Sequence, residues 1–225
     1  MSRIDHLKDR ANVAAGNKPA DLVIRNVNVL NVATGTQDVT DIAIHDGYIV
    51  GLYEGAYEGV DVIDGTGLNA VPGFIDSHLH IESSLLTPQE FDRIALPRGT
   101  TTVVADPHEA ANVMGTEAFD YWLESASASL MDIRVQLSSS VPATSLETSG
   151  ATLAARDLRP YKTREGAGNL AEFMDIGGVA SGNKGTFAKL AAFEGELIEG
   201  HLTAIRGRLL NMMAAVRINN DHEST

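Results

Sequence analysis

The 225-residue chain contains no cysteine, so it has neither a disulfide framework nor a thiolate zinc site, and nothing suggests an oxidising compartment. His80-x-Glu82 matches the opening of the cytidine-type deaminase motif, but the Pro-Cys-x-x-Cys half of that motif cannot exist here, which excludes that fold. Basic residues are scarce. Seventeen Lys and Arg against 30 Asp and Glu give a net charge of −13, a field that repels phosphate backbones and anionic lipid, so nucleic acid is not an expected partner. Gly177-Gly178 is not followed by Gly-Lys-Ser/Thr and is no phosphate loop. No apolar run approaches the ~18 residues needed to span a bilayer. Met1 to Lys18 is polar, without the apolar core of a secretory signal. The expectation is a cytoplasmic protein with no membrane partner.

What is present is ordinary globular material: 44% hydrophobic, 21% charged, 21 Gly and 7 Pro, close to average usage. Residues 1–20 form a first segment, in which Ser2 to Gly16 reads as a short helix carrying Leu7, Ala11, Val13 and Ala14. Residues 21–71 read as a small antiparallel β unit. Asp21 to Leu30 alternates apolar and polar residues, Asp41 to Val50 carries an Asp46-Gly47 turn, and Val60 to Ile63 and Leu68 to Val71 continue the pattern.

From Pro72 the rhythm becomes that of repeated βα units. The predicted strands are Gly73 to Leu79, Thr100 to Ala105, Ile133 to Leu137, Asn169 to Phe173, Leu197 to Gly200 and Val216 to Asn219. The predicted helices include one capped at Thr87-Pro88-Gln89-Glu90, with Glu90 reaching back. Others are Thr116 to Ala128, Lys184 to Glu194 and Arg208 to Val216. Thr144-Ser145-Leu146-Glu147 resembles a capping box and carries no catalytic expectation. A parallel βα array gathers its working residues at the carboxyl ends of its strands.

The polar clusters follow those strands. Asp76-Ser77-His78-Leu79-His80-Ile81-Glu82 closes the first, and side-chain alternation would put Asp76, His78, His80 and Glu82 on one side if the strand runs that far. His-x-His alone does not separate a metal pair from polar residues satisfied by hydrogen bonds. The wider distribution does. Asp106-Pro107-His108-Glu109 follows the second strand, Glu172 is the one charge in the fourth, Gly200-His201 ends the fifth, and Asp221-His222-Glu223 follows the sixth. Five of the seven histidines, at positions 78, 80, 108, 201 and 222, track strand ends; His6 and His45 do not. A carboxylate inside an apolar strand is costly unless paired or bound to a cation. One or two divalent metals at a common rim become the working hypothesis. Imidazole and carboxylate without thiolate suit Zn, Mn or Fe. Ser138-Ser139-Ser140, after the third strand, reads either as a substrate contact or as a plain loop.

Pro72-Gly73-Phe74-Ile75-Asp76-Ser77-His78-Leu79-His80 resembles the first metal-binding strand of the amidohydrolase superfamily. Together with His80-Ile81-Glu82-Ser83-Ser84, Gly99 to Glu109, Val141-Pro142-Ala143-Thr144 and Asp221-His222-Glu223, the chain is similar to the adenine deaminase family. The resemblance implies an α/β fold, a (β/α)₈ TIM-type barrel of which about six βα units fall in residues 72–225. Residues 21–71 would belong to a composite β-sandwich. It implies hydrolysis of adenine to hypoxanthine and ammonia, with two metal ions, Mn or Fe and Zn as the alternative. His78 and His80 would bind one ion, Glu172 would bridge, and His201 and His222 would hold the other, without a carboxylated lysine. Glu172, His108 and Glu109 would be catalytic, and Glu82, Ser140, Asp106 and Glu223 would meet the purine.

The chain departs from that pattern after His201, where Leu202 to Gly207 replaces a Pro-Gly-containing loop, and at Ser140, where cysteine is commoner. Strands seven and eight, with an aspartate expected as ligand and proton shuttle, lie outside these 225 residues. Two further readings stay open: a non-catalytic metal-binding or oligomerising scaffold of the same family, and another cyclic amidohydrolase. Open sheet edges make a homo-oligomer the expected assembly.

Overall fold

The computed structural model describes residues 2–53, 55, 57–144 and 146–223; Ser145 of the Thr144–Glu147 segment lies outside them. The chain divides into two compact units, Met1–Pro72 and Gly73–Thr225.

The first unit begins with helix α1 (Arg3–Ala14). Ser2 Oγ accepts the Asp5 N–H at 3.2 Å and the Asp5 carboxylate accepts the Ser2 N–H at 3.1 Å, a reciprocal cap that satisfies two otherwise orphaned donors. Strands β1 (Ala20–Asn31), β2 (Thr36–His45) and β3 (Tyr48–Leu52) follow as an antiparallel meander. Asp46 and Gly47, at φ 53° and 73°, form the two-residue turn whose twist matches a hairpin. Strands β4 (Gly59–Asp64) and β5 (Asn69–Ala70) both pair with β1, and both run parallel to it. The unit is therefore a mixed sheet rather than the antiparallel one expected. Alternation in sequence sets which face of a strand is buried, and it carries no information about direction.

β1 is interrupted at Asn26, which sits at φ 54° where the register with β2 shifts. Buried Asp41 holds this bulge. It accepts the Asn26 N–H at 3.0 Å, the Gly55 N–H at 2.9 Å and the Arg25 guanidinium at 2.6 Å. Burial alone would raise the Asp41 carboxyl, and these donors outweigh it and hold the group below the usual range. His45 lies between Asp21 at 2.8 Å and Asp9 at 2.9 Å, so both of its ring nitrogens have carboxylate partners.

The second unit is a curled parallel sheet whose six strands lie in sequence order. Its elements are β6 (Phe74–Leu79), α2 (Pro88–Ala95), β7 (Thr100–Ala105), α3 (His108–Met114), α4 (Glu117–Ala128), β8 (Asp132–Ser138), α5 (Ala155–Leu158), β9 (Ala167–Phe173), α6 (Ile176–Ser181), α7 (Lys184–Ala192), β10 (Ile198–Gly200), α8 (Arg208–Ala215) and β11 (Asn220–Asp221). Thr87 Oγ1 caps α2 through the Glu90 N–H at 3.3 Å, while the Glu90 carboxylate turns outward to Arg93 at 2.9 Å instead of reaching back. Helices α3, α5 and α6 lie outside the expected ones; all three are short, of seven, four and six residues.

The sixth strand is also displaced from the expected Val216 to Asn219. Val216 still donates to Met212 and Met213 of α8, and Arg217 takes φ 69°, so the chain enters the sheet only at Asn220. The core packs Phe119, Trp122 and Leu123 of α4 with Val103, Ile133, Val135 and Leu137 of the sheet. The carboxyl halves of β8 and β9 are buried on both faces, as parallel strands covered by helices must be.

Candidate metal centre

Glu172 lies within β9 and is 3% exposed. Its Oε1 is 3.1 Å from His108 Nε2 and 3.8 Å from His80 Nε2. Its Oε2 is 2.7 Å from His222 Nε2, 2.9 Å from His201 Nδ1 and 3.6 Å from His78 Nε2. One buried carboxylate thus faces all five histidines that follow strand ends. Burial disfavours its charge, but the His108 and His201 contacts prevail and hold it down at about 2. For His108 burial works against protonation, yet Glu172, Asp106 and Glu109 push it up to about 9. In the metal-free protein an imidazolium therefore partners the buried carboxylate.

The alternation argument holds for His78 and His80, whose Nε2 atoms are 3.1 Å apart. It fails for Glu82, because β6 stops at Leu79 and Ile81–Ser84 is a 3₁₀ turn. Glu82 Oε1 accepts the Ala110 N–H at 3.4 Å, and its Oε2 is buried without a partner. Burial raises this carboxyl. Glu109 is exposed and accepts Ser83 Oγ at 2.9 Å. Asp76, also exposed, accepts the His78 N–H at 3.2 Å.

Several residues expected to meet substrate bond the backbone beneath the cluster instead. Asp106 is fully buried; its Oδ2 accepts the Glu172 N–H at 2.5 Å and its Oδ1 accepts Ser138 Oγ. The Asp106 carbonyl accepts His80 Nδ1–H at 2.7 Å, which fixes the tautomer that leaves the His80 Nε2 lone pair facing the cluster. Ser139 Oγ and Ser140 Oγ both donate to the Glu172 carbonyl, at 2.7 and 2.8 Å. Ser140 Oγ also accepts the Met174 N–H at 3.2 Å. Glu223 is exposed and adjoins His201 and His222.

Glu199, in β10 and 3% exposed, escaped the sequence reading. Its Oε2 is 3.3 Å from His78 Nδ1 and its Oε1 is 3.5 Å from His222 Nδ1. The signal was available: a charge between Ile198 and Gly200, the same anomaly that singled out Glu172. Gly200 beside it has a steric reason, since a Cβ there would lie 2.6 Å from Ile218 Cγ2 and 2.7 Å from the Asn220 carbonyl. Only glycine lets β11 approach closely enough to bring His222 in.

The donor atoms suit a divalent cation. Three overlapping groups, His78–Glu172–His222, His80–His108–Glu172 and His201–His222–Glu223, each place their ligand atoms within 4.8 Å of one another. His201 Nδ1 and His222 Nε2 are 3.3 Å apart. Imidazole nitrogens crowded this closely around a carboxylate form a set that a positive ion would relieve.

A profile of the amidohydrolase family matches residues 69–225. The chain belongs to the amidohydrolase family. Its relatives include the adenine deaminase of Methylobacterium sp. (strain 4-46), 53% identical over 221 residues, which cover 98% of this chain and 39% of that protein. The adenine deaminase of Gluconobacter oxydans (strain 621H) is 55% identical over 93% of this chain and 37% of its own length. This chain therefore spans under two-fifths of these relatives. Among solved structures, D-hydantoinase aligns with a TM-score of 0.57 at 19% identity, over 81% of this chain and 40% of that one. L-hydantoinase from Arthrobacter aurescens gives 0.56 at 16% identity, over 82% and 41%. These likenesses show the amidohydrolase barrel fold, of which the six parallel strands form a part. Among the described residues, no helix is long and apolar enough to cross a membrane.

Proposed function

We propose that this chain carries the metal-binding part of a hydrolytic adenine deaminase, converting adenine and water to hypoxanthine and ammonia. The observation that carries this reading is the convergence of His78, His80, His108, His201 and His222 on the single carboxylate of Glu172. The identity to adenine deaminases supports a purine as the substrate.

His78 and His80 would hold one divalent ion and His201 and His222 a second, with Glu172 between them; Mn or Fe is the expected metal and Zn the alternative. When bound, such ions make water nucleophilic at neutral pH. The protein's own contribution is orientation and proton handling. Asp106, Ser139 and Ser140 pin the backbone of Glu172. His108 and Glu109 flank the same rim, and Glu82, with an oxygen free and its carboxyl raised by burial, is suited to exchange a proton with the ring nitrogens of the substrate. Glu223 would line the opposite side.

The test is to incubate the chain with Mn²⁺ and adenine and follow the loss of adenine absorbance. Turnover supports deamination. Bound metal without turnover favours the scaffold reading, and no metal binding refutes both.

A further inference from the structure

His78 and His222 come from strands at opposite ends of the six-stranded sheet, yet their rings stack 3.6 Å apart at an interplanar angle of 15°. Both Nε2 atoms face Glu172 Oε2, at 3.6 and 2.7 Å. Both Nδ1 atoms face Glu199, at 3.3 and 3.5 Å. Three buried atoms here, His78 Nδ1, His222 Nδ1 and Glu199 Oε2, have no hydrogen-bond partner. An orphaned buried carboxylate oxygen beside two orphaned ring nitrogens is expensive for each of them, and a proton on each Nδ1 would satisfy the group. A carboxylate can accept at both oxygens.

We propose that Glu199 is a positioning residue, one carboxylate that accepts Nδ1–H from both His78 and His222 and so leaves both Nε2 lone pairs free for a cation held beside Glu172. The inference rests on the reading that this cluster holds a cation. A single side chain then sets the tautomer of two imidazoles belonging to different halves of the centre. His80 is served differently, by the Asp106 carbonyl, so Glu199 supplies for the stacked pair what backbone supplies for His80.

The experiment compares the chain with Glu199→Gln and Glu199→Ala, using Zn²⁺ alone as a diamagnetic probe. Long-range proton–nitrogen correlation spectra report which ring nitrogen of each histidine is protonated, and calorimetry reports Zn²⁺ affinity. In the unmodified chain with Zn²⁺, His78 and His222 should both carry the proton on Nδ1. Glu199→Gln, nearly the same size, keeps one acceptor oxygen and turns an amide donor to the other ring. One of the two histidines should therefore change tautomer, and Zn²⁺ affinity should fall about 10- to 100-fold, the usual cost of losing a residue that orients a metal ligand. Glu199→Ala should release both rings. Nε2-protonated His78 and His222 in the unmodified chain would overturn the proposal without any variant. So would a folded Glu199→Gln with unchanged affinity and unchanged tautomers. Failure of the unmodified chain to bind Zn²⁺ would instead bring down the cation reading on which the proposal rests.

Discussion

The carboxylate of Asp106, just beyond β7, accepts the backbone N–H of Glu172 in β9 at 2.5 Å, reaching past the intervening strand β8. Its other oxygen takes the hydroxyl of Ser138, at the end of that intervening strand. Three adjacent strands are thus tied at their carboxyl ends by one buried side chain, and the tie fixes the residue on which the histidines converge. Asp106→Ala should leave the Glu172 N–H and the Ser138 hydroxyl unpaired, at about 1–3 kcal/mol for each buried donor. The drop should appear in the urea midpoint, and Asp106→Asn, which keeps one acceptor, should lose less. An unchanged midpoint in the alanine variant would show that these bonds contribute nothing net.

Glu172→Gln removes the charge shared by five imidazoles while preserving volume. Metal content after Mn²⁺ loading, read by elemental analysis, should fall by more than the roughly 10- to 100-fold affinity change typical of a residue that only orients a ligand. Retention of the full complement would remove Glu172 from the site.

The metal-free chain should have a stability plateau whose edges follow from two shifts. His108 is raised from 6.5 to about 9 in the folded state, so its contribution is complete below pH 6.5 and is lost as pH rises through 9. Glu172 is lowered from 4.5 to about 2, so its contribution is complete above pH 4.5 and is lost as pH falls through 2. Urea midpoints measured with chelator across pH should decline on both sides of that window, and His108→Gln should flatten the alkaline side. A midpoint indifferent to pH from 6.5 to 9 in the unsubstituted chain would contradict the His108 assignment.

Most of this architecture could be read from residues alone, for physical reasons that differ by element. β7 was legible residue for residue because Thr100 to Val104 is a β-branched run, extended by Ala105 and bounded by Gly99 and Pro107. Glu172 was legible because a charge in an apolar strand needs a partner. Direction was not: β4 shows the same alternation whether it runs with or against β1, so the mixed sheet needed coordinates. The end of β6 also escaped, since nothing in Ile81–Ser84 announces a 3₁₀ turn, and Glu82 was carried one step too far along an imagined strand. Ser140 and Asp106 were placed in the right neighbourhood with their side chains pointing the other way, which spacing cannot resolve. Glu199 carries the same signal as Glu172, a charge inside a buried strand, and was legible on the same ground.

In the first unit, Asp41 makes the comparable tie. Its carboxylate serves the Asn26 bulge, the Gly55 N–H and Arg25, so Asp41→Ala leaves two amides without partners and a half-buried guanidinium with the Tyr57 carbonyl alone. Leaving buried amide donors unpaired costs about 1–3 kcal/mol for each. Chemical denaturation followed by circular dichroism should show the loss. Lys189, whose ammonium donates to the Ser139 carbonyl in the other unit, has no role in this bulge, and Lys189→Met should leave the transition of the first unit where it is.

The five imidazoles around Glu172 span positions 78 to 222 and arrive on four separate stretches of backbone, His78 and His80 sharing the end of β6. No fragment of the sheet can assemble that constellation, so an ion held there is a fastener across the whole array. Its occupancy would report global integrity, chelation would loosen distant strands together, and any lesion that frees β6 or β11 would be felt first as lost grip on the cation.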